Sequence, residues 1–256
     1  MNSVVPIFII SLKKDVERRN AITDALSAQN LSWVMVDAVE GIKLQEEYIS
    51  SLNYKYDKPS HANEIACSLS HQSVYKKIIN DGIDWAIILE DDVIIDTPIS
   101  DFINKLEQGK TSVLKKDHIY LLGGQEGLNS RKRLSLSFFN KVKIGNFTFR
   151  KVTYKPSKIY RTCCYLIHRD ECEKLVELFN EAYYVADSWG LFYKLKKVKG
   201  YFLAEIIKHP ILAIENSNIE QYRVDKKNPR RKKGFIESNI SLFFLEIRRF
   251  FRSLKF

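Results

Sequence analysis

No stretch of this 256-residue chain approaches the length of a membrane span. The longest apolar run near its start, Val4 to Ile10, is far short of the ~20 residues a bilayer requires. Its positive charges, Lys13 and Lys14, follow the run rather than precede it, which argues against a signal peptide. Cysteine is scarce. Cys67, Cys163, Cys164 and Cys172 show no C-x-x-C spacing, and they read as buried reduced thiols of a cytosolic protein. Adjacent Cys163 and Cys164 are expected to point to opposite faces of a strand. Internal repeats and low-complexity segments are absent too, which leaves an ordinary globular protein with 45% apolar and 28% charged residues. A chain of this length buries enough surface to fold without a disulfide or metal staple.

What the chain has in excess is positive charge. The formal net charge is +10, but residues 223–256 carry 11 Lys/Arg against 3 Asp/Glu, a net +8, so residues 1–222 hold only +2. A nearly neutral body without a nucleic-acid motif argues against a nucleic-acid binder, whose affinity would fall steeply with salt. The block from Arg223 to Lys233 reads as a solvated linker. Beyond it Ile240, Phe243, Phe244, Ile247, Phe250, Phe251 and Leu254 line one helical face, with Arg248, Arg249, Arg252 and Lys255 mostly off it. That pattern suits a helix lying in an anionic membrane interface; a helix packed on the body or on a second subunit has the same pattern.

Along the body, the apolar periodicities predict strands at 4–11, 33–36, 85–89, 119–122, 163–167, 198–203 and 207–213. They predict helices at 15–29, 62–80 and 170–182. Residues 131–156 read as a variable loop with short strands. Strands alternating with helices define an α/β layered domain that opens with a βαβ unit. In such sheets ligands bind at the carboxyl ends of strands.

The buried run Ala86-Ile87-Ile88-Leu89 ends in Glu90-Asp91-Asp92. Three adjacent carboxylates repel one another unless solvent or a cation offsets the repulsion. An oxygen-preferring ion, Mn2+ or Mg2+, fits that need; a solvated acidic turn is the plainer reading. On the preceding helix Glu64, Cys67, Ser68 and His71 share one face, as a hydrogen-bonded packing stripe or as part of a site. Arg18 and Arg19, in the first turns after the first strand, suit a diphosphate or simply solvent.

Several blocks resemble glycosyltransferase family 25, enzymes of lipooligosaccharide biosynthesis. Ile9-Ile10-Ser11-Leu12 with Arg18-Arg19, and Val36-Asp37-Ala38-Val39-Glu40-Gly41, resemble its opening. Asn63-Glu64-Ile65-Ala66-Cys67-Ser68-Leu69-Ser70-His71 is similar to its G-E-[IV]-G-C-x-x-S-H block. Leu89-Glu90-Asp91-Asp92-Val93 is similar to its L-E-D-D-V block, and Cys164-Tyr165-Leu166-Ile167 and Val185-Ala186-Asp187 resemble later elements. Asn63 and Ala66 stand where that family has glycines, and Cys163 where a Gly or Ala is commoner.

The resemblance implies a GT-A-like, Rossmann-type nucleotide-sugar-binding domain with a mixed central sheet over residues 1–222. Residues 223–256 add a basic linker and a membrane-associating amphipathic helix. It implies a metal-dependent, inverting transfer of a sugar, galactose from UDP-galactose, onto a lipooligosaccharide or other cell-surface glycan. Under it Asp92 and His209 ligate Mn2+ or Mg2+, with Asp91 assisting. Glu90 faces the donor ribose or sugar, and Ser11, Arg18, Asp37 and His71 contact the donor. Asp187, between Tyr183-Tyr184 and Trp189, is the general base. The expected location is the cytoplasmic face of the membrane. A metal-dependent nucleotidyltransferase or nucleotide hydrolase is the alternative enzyme class.

Overall fold

A computed structural model describes residues 5–125, 134–154, 156–209 and 251–254. Its centre is one eight-stranded mixed sheet in the order β2-β1-β3-β7-β4-β8-β6-β5. The strands are β1 (Ile7–Ser11), β2 (Val34–Asp37), β3 (Trp85–Glu90), β4 (His118–Leu121), β5 (Ser135–Ile144), β6 (Phe147–Tyr154), β7 (Cys164–His168) and β8 (Gly200–Leu203). Strands β2, β1 and β3 run parallel. Strand β7 enters antiparallel between β3 and β4, which makes this the expected GT-A-like α/β arrangement with a mixed sheet.

The helices are α1 (Val16–Ser27), α2 (Glu46–Ser51), α3 (Ala62–Asn80), α4 (Ser100–Glu107), α5 (Arg169–Glu181) and α6 (Trp189–Lys194). Alternation along β1 builds the layers. Ile7 and Ile9 face α1 and α4 through Ile22, Leu26, Phe102 and Leu106. Phe8 and Ile10 face α3, α5 and α6 through Val74, Tyr75, Leu175 and Trp189. Each such fully buried side chain contributes roughly 1.5–3 kcal/mol, so the run Ala86–Leu89, packed on both faces, is a rigid base for the acids that follow it. No helix among the described residues is long and apolar enough to cross a membrane.

Three expectations change. Residues 131–156 are not mainly loop: β5 and β6 form a long antiparallel hairpin closed by Gly145-Asn146, with Gly145 at φ 56. Two-residue hairpin turns need that positive φ at their first position, and the alternation of basic and aromatic residues is the two-sided pattern of an edge hairpin. Second, Cys163 and Cys164 do not face opposite sides; both pack in the same cluster, because Cys163 has φ 43 and lies before the regular strand. Third, the strand expected at 207–213 is reduced, within the described residues, to a bridge between Ile94 and Lys208. Its later residues, the boundary at 222/223 and nearly all of the tail helix lie outside the described residues; residues 251–253 are helical.

Candidate active site

The chain leaves β1 through α1 to β2 on one side, then returns through α3 to β3 on the other. The carboxyl ends of β1 and β3 thus flank a topological switch point, where α/β sheets bind ligands. A cavity of about 490 Å³ opens there, walled by Ser11 and Arg18 on one side and by Cys67 and His71 of α3 on another, with Glu90, Asp91 and Asp92 at its base. Helix α3 is anchored at its start. His61 caps it by accepting from the Asn63 N–H (3.2 Å), and buried Glu64 accepts from the Ser60 N–H (2.7 Å). Glu64 and Ser68, whose hydroxyl bonds the Glu64 carbonyl at 2.9 Å, are the packing part of the stripe; Cys67 and His71 reach the cavity.

The three acids diverge into separate environments. Glu90 Oε1 sits 3.2 Å from His71 Nε2 and accepts the Thr162 hydroxyl, while His71 Nδ1 lies 2.7 Å from the Tyr165 hydroxyl. Asp91 Oδ2 accepts from Ser11 Oγ at 2.5 Å, and its Oδ1 lies 3.6 Å from Arg18 Nη1. Burial pushes the Asp91 carboxyl above its ordinary value, with Ser11 and Arg18 pulling the other way. Asp92 Oδ2 lies 3.3 Å from His209 Nε2. Burial would raise the Asp92 carboxyl too, but the hydrogen bond and charge of His209, with Arg18 and Arg161, outweigh it and leave it lowered. Its other oxygen, Oδ1, is buried without a hydrogen-bond partner.

Six of the nine residues expected at the site line the cavity: Ser11, Arg18, His71, Glu90, Asp91 and Asp92. His209 lies beside it against Asp92. Asp37 is exposed at the end of β2 and paired at 2.5 Å with Arg19, which also donates to the carbonyls of Ser11 (2.8 Å) and Leu12 (3.1 Å). Arg19 is therefore a strap between two strand ends, and Arg18 is the arginine turned to the cavity. Asp187 stands on the loop before α6, where its Oδ2 accepts the Arg161 N–H at 2.8 Å.

Sequence reasoning missed the segment that joins these parts. Arg161 and Cys163 hold φ values of 72 and 43, a conformation costly for residues with a Cβ and concentrated at functional sites. From this bent segment Arg161 reaches His209 Nδ1 (3.1 Å), Thr162 reaches Glu90, and the Arg161 carbonyl accepts from Trp189 Nε1 (3.0 Å). Asp187, Glu90 and His209, remote in sequence, thus share one short connector. Gly123-Gly124 admit the His209 segment. A Cβ on Gly123 would lie 2.2 Å from the Ile207 carbonyl, and one on Gly124 3.1 Å from His209 Cβ.

A carboxylate-based crevice at the switch point of a mixed α/β sheet is the place where such a fold takes a ligand. The chain belongs to glycosyltransferase family 25 (LPS biosynthesis protein), whose family model matches residues 4–189. It is 32% identical to human procollagen galactosyltransferase 2 over 96 residues, 34% of this chain and 15% of that protein. It is 25% identical to human inactive glycosyltransferase 25 family member 3 over 158 residues, 58% of this chain and 26% of the relative. The matched part thus spans about a quarter or less of these relatives. Among solved structures, a glycosyltransferase involved in the glycosylation of the major capsid of PBCV-1 is 11% identical, with 86% of this chain and 97% of that one covered and a TM-score of 0.41.

Proposed function

We propose that this chain is an active, metal-assisted, inverting glycosyltransferase that moves galactose from UDP-galactose onto a lipooligosaccharide or related cell-surface glycan. The observation that carries the reading is Asp92: one oxygen faces His209 at 3.3 Å and the other is buried without a partner. A buried carboxylate oxygen left unsatisfied is costly, and a bound cation would satisfy it. Asp92 and His209 are the residues that would hold Mn2+ or Mg2+, with Asp91 nearby but committed to Ser11 and Arg18. When bound, the ion acts as a Lewis acid that offsets charge on the departing diphosphate. Because Arg161 donates to His209 Nδ1, Nε2 carries the ring proton and faces Asp92; the ring would hold a cation at Nε2 only as the other neutral tautomer, with Nδ1 protonated and the Arg161 contact given up.

The remaining roles belong to side chains. Arg18 supplies positive charge beside the diphosphate, and Ser11 and the β1 end shape the wall around it. His71 and Thr162 hold Glu90 toward the donor. Asp187 removes the acceptor hydroxyl's proton as that oxygen bonds the anomeric carbon and the nucleoside diphosphate leaves from the opposite face. The family description supports a lipopolysaccharide-type acceptor, and the relatives' names support galactose. The +8 tail supports a position at an anionic membrane surface, the cytoplasmic face on this reading.

The test is transfer from UDP-sugars with and without Mn2+. Asp92→Ala and His209→Ala are each expected to remove the metal-dependent activity. Asp187→Asn is expected to lower turnover by about 10²–10⁴-fold with an unchanged unfolding temperature. Metal-dependent turnover that survives both Asp92→Ala and His209→Ala overturns the assignment.

A further inference from the structure

Cys67 and His71 are four residues apart on α3 and so point to the same side, toward the carboxyl end of β3. Their Sγ and ring nitrogen, with a carboxylate oxygen of Glu90, all lie within 4.8 Å of one another. Among the described residues this is the one group of three Cys, His and acidic side chains gathered so closely. We propose that Cys67, His71 and Glu90 form a site for a soft divalent cation of the Zn2+ type, on the inner wall of the cavity and distinct from the Asp92–His209 pair.

The donor set decides the class of ion. A thiolate and an imidazole favour Zn2+ over Mg2+ or Mn2+, whereas the Asp92–His209 pair offers no sulfur. Three protein ligands that border a cavity leave a fourth position for water or a ligand, the form of an exchangeable zinc site rather than a closed structural one. The surroundings are those a metal-binding histidine and carboxylate need. His71 Nδ1 is engaged by the Tyr165 hydroxyl at 2.7 Å, which leaves Nε2 directed at Glu90, and Tyr165 is fixed by Tyr75 at 2.7 Å. The Thr162 hydroxyl orients the Glu90 carboxylate.

The field at Cys67 is negative. Burial first, then Glu90, Asp187, Asp92 and Glu64, hold its thiol well above the ordinary value, so without a cation the sulfur stays protonated. Binding reverses this: the S–H bond breaks, a proton leaves to solvent, and the thiolate bonds the metal. The cation also neutralises part of the acidic cluster that lines the cavity base. Cys67 is only partly buried and reaches the cavity, so the path for an ion is open.

Co2+ is the probe, because thiolate ligation gives it a near-ultraviolet charge-transfer band that oxygen and nitrogen ligands do not. Added to the reduced full-length chain, Co2+ is expected to give that band in the unaltered protein and in Asp92→Asn, and to lose it in Cys67→Ser. No band in the unaltered protein, or a band that survives Cys67→Ser, overturns the site. A second measurement needs no variant: Zn2+, and not Mg2+, is expected to protect Cys67 from alkylation. Alkylation of Cys67 at an undiminished rate under excess Zn2+ overturns the proposal as well. Both readouts report binding alone, so they stand or fall independently of sugar transfer.

Discussion

Asp91 and Asp92 are sequence neighbours driven in opposite directions by their surroundings. Asp91 is raised because burial outweighs Ser11 and Arg18; Asp92 is lowered because His209 and two arginines outweigh burial. Each shift is also a statement about stability. A carboxyl raised on folding keeps a proton that the unfolded chain has lost, so stability falls as pH rises from the ordinary 3.8 through the folded value. Asp91→Asn, which retains an acceptor for Ser11, is expected to raise the unfolding temperature at neutral pH, with the gain vanishing below about pH 4. Melting curves across pH check this; a gain that persists at pH 3 would point to a cause other than ionisation. Asp92 runs the other way. Its contribution is present above 3.8 and is lost as pH falls through its lower folded value, so Asp92→Asn is expected to flatten the acid limb of the stability curve. The two acids divide the work, one held by the fold and one left with an unpaired oxygen. No pattern in Glu90-Asp91-Asp92 says which is which, because the distinction lies in partners at positions 11, 18 and 209.

At the scale of elements, three helices end in the same way. After α1, α3 and α6 the residues Asn30, Gly82 and Lys196 adopt φ values of 55, 67 and 57. Each is followed by a backbone bond back to the last turn: Leu31 to Leu26, Ile83 to Ile78, and Lys197 to Phe192, at 3.1, 3.0 and 3.0 Å. This is the Schellman stop, in which glycine and then asparagine are the favoured residues. It explains why the end of α3 was legible from Asp81-Gly82 while α6, with lysine at the stop, was not foreseen. Lys196→Gly relieves about 1–2 kcal/mol of left-handed strain against about 0.5–1 kcal/mol of added chain entropy. The expected net is a gain of about 0.5–1 kcal/mol, read as a rise of about 1–3 °C in the unfolding temperature. Gly123→Ala is expected to act in the opposite sense. Its Cβ would meet the Ile207 carbonyl at 2.2 Å, and Ile207 leads directly to His209. A loss of about 2–4 kcal/mol together with lost metal-dependent activity is expected, and a variant of unchanged stability and activity would break this link. Strands β1 and β3 were readable because burial on both faces leaves continuous apolar runs. The β5–β6 hairpin was not, because one exposed side mixes basic and aromatic residues and hides the period. The connector at 161–163 was invisible for a different reason: its contacts come from Asp187 and Trp189 in one distant segment and Glu90 in another.

At the scale of the whole molecule, the charge asymmetry is the feature that the catalytic geometry does not use. The body is nearly neutral, so the +8 of residues 223–256 is a charge that the crevice itself does not account for. Near an anionic leaflet each basic residue is worth about 1 kcal/mol, enough for several together to hold a protein that no described helix anchors by spanning. The one described piece of the tail makes contact with the body. Thr153 Oγ1 donates to the Arg252 carbonyl at 3.0 Å, the Arg252 guanidinium lies 3.4 Å over the Tyr154 ring, and Ser253 is buried. Phe251 is 64% exposed beside these contacts, so residues 251–254 rest on β6 while presenting an apolar ring outward. The two readings of the tail then differ in what truncation does. A chain ending at Tyr222 is expected to lose sedimentation with anionic vesicles while the full chain binds them, and that binding is expected to weaken steeply with salt. Loss of the Arg252 and Ser253 contacts with β6 is expected to cost stability as well, so melting curves belong beside the vesicle assay. Vesicle binding that persists in the truncated chain would place the membrane contact on the body; binding lost with little change in melting would assign the tail to the surface rather than to packing.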